Sequence, residues 1–334
     1  MSAKLPSQLK RFADRALLSQ IESNLELVEA ELLEATMHTD PVLQNAARHL
    51  VEAGGKRVRP VLVLLTSLLG DGATQRVVDA AAIVELTHLA TLYHDDVMDD
   101  APTRRGVPTA QHVFSNSIAI LIGDLLLARA SILSTQLGIE AITMQAHTFE
   151  RLCIGQLNET VSAREDEDAI AHYIQVLADK TGSLIAASAK LGVMMSNAPH
   201  EYLLPLEEFG EKIGVAFQLI DDVIDISEAG PSGKTPGTDL RAGVPTMPVL
   251  LLRKRAATDP TAAALLTEID GDLSSDERLA EVVAKLRNHP VADEAFEEAK
   301  RWANEAIAAL DALPEGQTKR ALIHFAQAVV DRDN

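Results

Sequence analysis

Apolar residues recur at three- and four-residue spacing through almost the whole chain, and no segment alternates as a half-buried strand would. The pattern predicts helices over residues 20–52, 60–70, 74–99, 109–137, 140–163, 167–197 and 200–228, with shorter ones to the end. Punctuation supports these limits. Gly54-Gly55 ends one predicted helix and Pro60 opens the next, since glycine accepts a left-handed C-cap and proline suits a first turn. Gly70, Gly138 and Asn197-Ala198-Pro199 mark further breaks. GPSGKTPGTDLRAGVP, residues 230–245, is too rich in glycine and proline to be helical. Neither a low-complexity linker nor a solenoid-length repeat divides the chain. The expectation is one all-α domain over 1–334, a bundle of long helices, with an amphipathic segment over about 1–20 that docks on the core.

Composition narrows the classes. The 334 residues are 47% hydrophobic and 24% charged, as in an ordinary globular chain, and the 3% aromatic share favours packed helices over sheet. A formal net charge of −19 lacks the basic footprint of a nucleic-acid binder and disfavours an anionic membrane surface. No run approaches about 18 uncharged apolar residues, so no transmembrane segment is predicted. MSAKLPSQLKRFADRALLSQ lacks the apolar core of a signal peptide and suits at most weak membrane contact. One cysteine, Cys153, fits a reducing compartment and is expected to be a buried structural thiol. A cytoplasmic protein is expected.

Two charge clusters carry the chemistry. In HDDVMDDAPTRRG, residues 94–106, Asp95 and Asp99 lie one helical turn apart on a shared face, and His88 falls on nearly the same line. FQLIDDVIDI, residues 217–226, repeats the arrangement with Asp221, Asp222 and Asp225, and places Gln218 a turn earlier. Either cluster alone reads better as a solvated acidic face. Two matched clusters inside apolar sequence point instead to hard divalent ions, because unpaired buried carboxylates are expensive. Mg²⁺ takes one or two carboxylates and completes its shell with water and substrate phosphates. Cations sit at helix ends and loops beside these clusters: Lys56, Arg57 and Arg59 in GGKRVRP, Arg104-Arg105, Lys180 beside Thr181, and Lys234. Such groups match phosphate oxygens. Glu85-x-x-His88 has the form of a di-iron motif, yet a second copy is missing, and the glycine-rich turn lacks P-loop spacing.

Taken in order, GGKRVRP (54–60), HLATLYHDDVMDDAPTRRG (88–106), IGD (122–124), GQLNE (155–159), KTG (180–182), FQLIDDVID (217–225) and GKTPGTDLR (233–241) resemble the trans-isoprenyl (polyprenyl) diphosphate synthases across most of the chain. The resemblance implies an all-α isoprenoid synthase fold around a central cavity, usually a homodimer. It implies that an allylic diphosphate, farnesyl or geranyl, ionises and that isopentenyl diphosphate attacks the cation. Three Mg²⁺ ions would be held by Asp95, Asp99 and Asp221, supported by Asp96, Asp222 and Asp225. Arg104, Lys180 and Lys234 would contact the allylic diphosphate. Lys56, Arg59, His88 and Arg105 would bind isopentenyl diphosphate, and the dipoles of Thr181 and Gln218 would face the reacting carbons. One position departs from the family: Val244 stands where a second loop lysine is common, with Arg241 a candidate substitute.

In this family the residues before the first cluster help set product length. Small Ala90 and Thr91, with Thr87 a turn deeper, leave that route open, which implies a product of C20 or longer: a quinone-tail length, or geranylgeranyl diphosphate. Leu126, Leu127 or the neighbourhood of Cys153 could close it instead. Two other readings remain. A class I terpene cyclase would replace the second cluster and need no isopentenyl subsite, and a noncatalytic subunit of a heteromeric synthase would lose aspartates or cations.

Overall fold

The computed structural model describes residues 15–227 and 236–331, and over these the chain is helical almost throughout. The sheet among the described residues is a single ladder, Thr103–Arg104 against Val107–Pro108, too short to leave an alternating pattern in sequence. By internal contacts the chain divides into two compact units. The first runs to Arg151 and adds Ser183–Gly210 and Ala309–Phe325. The second comprises Leu152–Gly182, Glu211–Ala308 and the chain from Ala326 onward.

The first unit is built around the helix Gln75–Met98. Its residues from Val77 to Thr87 are all buried, because it is apolar on every side and so belongs in an interior. Val58–Ser67, Ser183–Met195, Asn116–Leu137 and Arg15–Ala35 pack around it. One approach is backbone to backbone: a Cβ on Gly192 would stand 2.0 Å from Thr66 Oγ1 and 2.3 Å from the Val63 carbonyl. Asn116–Leu137 is long and apolar enough by composition to cross a membrane (mean hydropathy 1.8), but it packs along Gln75–Met98 and a third of that window is buried.

Two predicted helices prove to be broken. The segment expected over 20–52 forms Arg15–Ala35 and Pro41–Glu52. Asp40 caps the second of these, its carboxylate accepting from Val42 N at 2.8 Å and Leu43 N at 3.3 Å, with Pro41 at the first position. The segment expected over 109–137 forms a short helix Ala110–Val113 and then Asn116–Leu137, whose Ser115 cap accepts from Ile118 N at 3.2 Å.

In the second unit, Ala169–Leu177 leads into a π-helical turn, Ala178–Gly182, inside the helix predicted over 167–197. Its core gathers Leu177, Val215, Leu219, Met247, Ala295 and Ala299. A neighbouring cluster under Met247–Ala256, Pro260–Ile269 and Asp276–Arg287 is filled by Leu252, Leu265, Val282 and Leu286, among others.

Candidate active site

In the first unit, Asp95, Asp96 and Asp99 close the central helix, with Asp99 at its C-cap donating its amide to the Asp95 carbonyl at 2.8 Å. The helix turns Asp95 to a half-buried position and leaves Asp99 exposed. Asp96 faces inward, 1% exposed, and its Oδ1 accepts from Arg104 Nε and Nη2, each at 2.7 Å. Burial raises its pKa despite that partner. Gln111 secures the turn that follows, donating Nε2 to the Asp96 carbonyl at 2.6 Å and the Ala101 carbonyl at 3.1 Å.

The chain then reverses through the short ladder, with Arg105 (φ 55°) and Gly106 (φ 80°) both left-handed, as a two-residue hairpin requires. Arg105 is not glycine, and its side chain holds the turn in place: Nη1 donates to the Leu50 carbonyl at 3.0 Å and to the Gly54 carbonyl. A Cβ on Gly55 would meet the Arg105 guanidinium at 2.8 Å, and its φ of 144° is one that a side chain disfavours, which accounts for the second glycine of GGKRVRP.

The three cations of that motif have different fates. Lys56 is exposed. Arg57, itself left-handed at φ 47°, turns into the interior, where Glu29 receives it at 2.5 and 3.1 Å and Glu85 at 2.8 Å. Arg59 has a buried Nε without a hydrogen-bond partner, and burial lowers its pKa to about 10. His88 is half-buried beside Arg57 and Arg59. Burial, then Arg59 and Arg105, keep its imidazole well below 6.5 and therefore neutral at pH 7. Arg59, His88 and Arg105 thus lie together in a cationic site in which Glu85 is the carboxylate that both arginines neighbour, with Glu29 a further one near Arg105.

The expected chain-length residues divide as well. Thr91 is half-buried, its Oγ1 donating to the His88 carbonyl at 2.8 Å. Ala90 (0% exposed) and Thr87 (1%) are packed in the interior, and Leu126 is likewise enclosed. IGD acquires a structural reason: Gly123 lies beneath the His94 ring, where a Cβ would come within 2.3 Å of Nε2, and that nitrogen also stands 3.1 Å from the Ile120 carbonyl and 3.4 Å from Asp124.

In the second unit the Leu203–Asp225 helix carries Gln218 and Asp221 half-buried, and turns Asp222 inward, 5% exposed. Tyr173 donates its hydroxyl to both Asp222 oxygens, at 2.9 and 2.8 Å, and Met247 N donates at 2.9 Å. Burial pushes the Asp222 pKa up to about 7. Asp225 ties down the returning chain, accepting from Thr238 N at 3.2 Å, Thr238 Oγ1 at 2.6 Å and Asp239 N at 3.1 Å. Lys180 and Thr181 occupy the π-helical turn, a distortion frequent at functional sites, and Lys180 is paired with Glu159. Gly155 lets the two backbones meet there, since a Cβ would lie 2.6 Å from Lys180 N.

Several expectations need correction. Cys153 is exposed rather than buried. Its position on the outer face of Ile139–Val161 is set by tertiary packing, which one apolar-flanked residue does not reveal. Arg241, the candidate substitute for the lysine absent at Val244, pairs at the surface with Asp276 at 2.5 Å. Lys234 lies outside the described residues. Among the described residues no three His, Cys, Asp or Glu side chains form a ready cage for an ion. The half-buried or exposed carboxylates of Asp95, Asp99 and Asp221 nonetheless suit a hard ion that takes few protein ligands. Sequence reading missed Glu29, Gln111, Glu159 and Tyr173, none of which belongs to a local motif with a chemical signature, GQLNE apart.

A family model described as polyprenyl synthetase matches residues 40–286. A nonaprenyl diphosphate synthase of Mycobacterium tuberculosis is 41% identical over 324 residues, covering 96% of this chain and 93% of that protein. A crystal structure of geranylgeranyl pyrophosphate synthase from Corynebacterium glutamicum, complexed with calcium and isoprenyl diphosphate, superposes with a TM-score of 0.86 at 41% identity, covering 96% of this chain and 98% of that one. A decaprenyl diphosphate synthase from Rhodobacter capsulatus gives the same TM-score of 0.86 at 30% identity, covering 95% and 98%.

Proposed function

The chain belongs to the polyprenyl synthetase family and is a prenyl diphosphate synthase, and from that premise we propose that it extends farnesyl or geranyl diphosphate with isopentenyl diphosphate to a product of C20 or longer. The observation that carries the substrate assignment is the cationic site of Lys56, Arg59, His88 and Arg105. A half-buried guanidinium whose enclosed Nε lacks a partner is poised for an anion, and two guanidiniums whose common carboxylate is already bonded to Arg57 leave charge for a diphosphate. A terpene cyclase has no use for such a subsite, and a noncatalytic subunit has no use for two intact aspartate clusters.

Asp95 and Asp99 would hold two Mg²⁺ ions and Asp221 a third, with Asp96, Asp222 and Asp225 fixing the backbone that presents them. Bound there, the ions supply charge neutralisation that makes the allylic diphosphate a better leaving group. Arg104, a third of whose side chain is exposed while it pairs with Asp96, and Lys180 would hold that diphosphate from the protein side. Lys234 would join them. Neutral His88 donates one hydrogen bond to the isopentenyl diphosphate while Arg59 and Arg105 supply its counter-charge. Once the allylic carbon–oxygen bond has broken and its electron pair has left with the diphosphate, the isopentenyl double bond, held in place, attacks the allylic cation. The hydroxyl of Thr181 and the amide of Gln218 orient oxygen dipoles toward the developing cation, and the departed diphosphate takes the proton lost at the end.

A homodimer is supported by Ile120, Leu121, Ile132 and Ile139, large apolar side chains exposed on successive helices of the first unit, which a second copy would cover. A cytoplasmic location accords with the net charge and the single cysteine. The deciding assay supplies farnesyl diphosphate, labelled isopentenyl diphosphate and Mg²⁺, then sizes the products. Chains of C20 or longer are expected; a cyclic hydrocarbon, or no incorporation, would overturn the proposal.

A further inference from the structure

Glu85 lies one turn before His88, and neither metal chemistry nor direct substrate contact accounts for it. It is 1% exposed and sits among arginines. Its Oε1 accepts from Arg57 Nη1 at 2.8 Å and stands 3.8 Å from Arg105 Nη2, and it is the charge that most favours the cationic forms of Arg59 and Arg105. From the geometry we infer that Glu85 is a positioning residue for the isopentenyl diphosphate subsite: it draws Arg57 out of the ligand-binding set and restrains how tightly Arg59 and Arg105 hold a diphosphate. This inference rests on the reading of that cationic site given above.

The argument is a balance of charges around His88. Four guanidiniums stand near it: Arg57, Arg59, Arg104 and Arg105. Asp96 takes Arg104, and Glu29 takes Arg57 through two hydrogen bonds. Glu85 then completes the shell of Arg57 and serves as partial counter-charge to the other two. The left-handed backbone at Arg57 belongs to the same arrangement. It sends that side chain inward to Glu85 while Arg59, two residues on, stays unpaired at Nε beside His88. A buried carboxylate beside a diphosphate subsite repels the ligand. Its retention therefore lowers affinity, which serves a subsite that must hand on the diphosphate of the elongated product before the next isopentenyl diphosphate binds.

Glu85→Gln keeps the size and an acceptor for Arg57 but deletes the charge. Titration calorimetry with inorganic diphosphate in chelator-containing, metal-free buffer reads this subsite without help from metal ions. The variant should bind diphosphate about tenfold more tightly than wild type. The KM for isopentenyl diphosphate should fall in parallel, while that for the allylic substrate moves less than about twofold. A merely structural role would loosen Arg105 and weaken binding. Glu29→Gln, at a more exposed partner of Arg57, supplies an independent check. It commits Glu85 to Arg57 alone and should tighten diphosphate binding about threefold. Unchanged or weakened binding in either natively folded variant overturns the inference while leaving the subsite assignment intact. Wild-type protein that binds no diphosphate in this buffer overturns both.

Discussion

His88 shows how a residue legible as a ligand in sequence takes its chemistry from its surroundings. In the unfolded chain its imidazole titrates near the ordinary value of about 6.5. In the folded protein, burial first and then Arg59, Arg105, Arg57 and Arg104 hold it well below that. As pH falls through about 6.5, the unfolded state gains a proton that the folded state refuses, so stability present at higher pH is lost. The slope approaches about 1.4 kcal/mol per pH unit until the folded group itself titrates. His88→Gln should flatten the fall in unfolding midpoint between pH 6.5 and 5 when measured without substrate; an unaltered slope would show that other groups carry it. Tyr173 makes a complementary case. Its one hydroxyl proton is shared between the two oxygens of the buried Asp222, so Tyr173→Phe should lower stability by about 1–3 kcal/mol in chemical denaturation. The spacing of both aspartate clusters was plain in sequence. The division within each, with Asp95 and Asp221 half-exposed and Asp96 and Asp222 buried, was not, because it depends on which face tertiary contacts turn inward.

Among the elements, the helix Gln75–Met98 is fixed by close approach on several sides, and glycine marks where that approach is tightest in its surroundings. Gly192→Ala would drive a methyl into the Thr66 hydroxyl and into the Val63 carbonyl, which as backbone cannot yield cheaply. A loss of about 1–3 kcal/mol is expected in guanidinium unfolding, and an unchanged midpoint would mean that Val58–Ser67 and Ser183–Met195 can slide apart. The same packing sharpens the question of product length. Ala90 is enclosed, so the phenyl of Ala90→Phe must take its space from neighbours and should shorten the product at a cost in stability. Thr91, half-buried, can accept a phenyl more readily, and Thr91→Phe should shorten the product with little loss of stability. Unaltered chain length in both variants would put the floor on another helix. Periodicity identified nearly every long helix. It ran 20–52 together because the Asp40-Pro41 start signal lies inside a run that stays helix-like on both sides, and it missed the π-helical turn because one extra residue barely shifts a 3.6-residue pattern.

At the scale of the molecule, the net charge of −19 and the apolar outer face of Asn116–Leu137 pull in opposite directions. Repulsion among copies favours separation, yet Leu121 is 64% exposed and Ile132 54%, on a helix whose other face is packed against Gln75–Met98. Hydrophobic periodicity alone could not expose this. A helix apolar on both faces reads simply as buried, and only the packing of one face shows that the other still lacks a cover. A second copy would resolve the conflict, since covering that apolar face would outweigh diffuse repulsion that salt screens. Leu121→Glu combined with Ile132→Glu should therefore convert dimer to monomer in sedimentation equilibrium. Raising the salt concentration should tighten the wild-type dimer by screening the copies from one another. A wild-type protein that sediments as a monomer at every salt concentration would leave that face for another partner, and a double variant that remains dimeric would place the contact elsewhere on the surface.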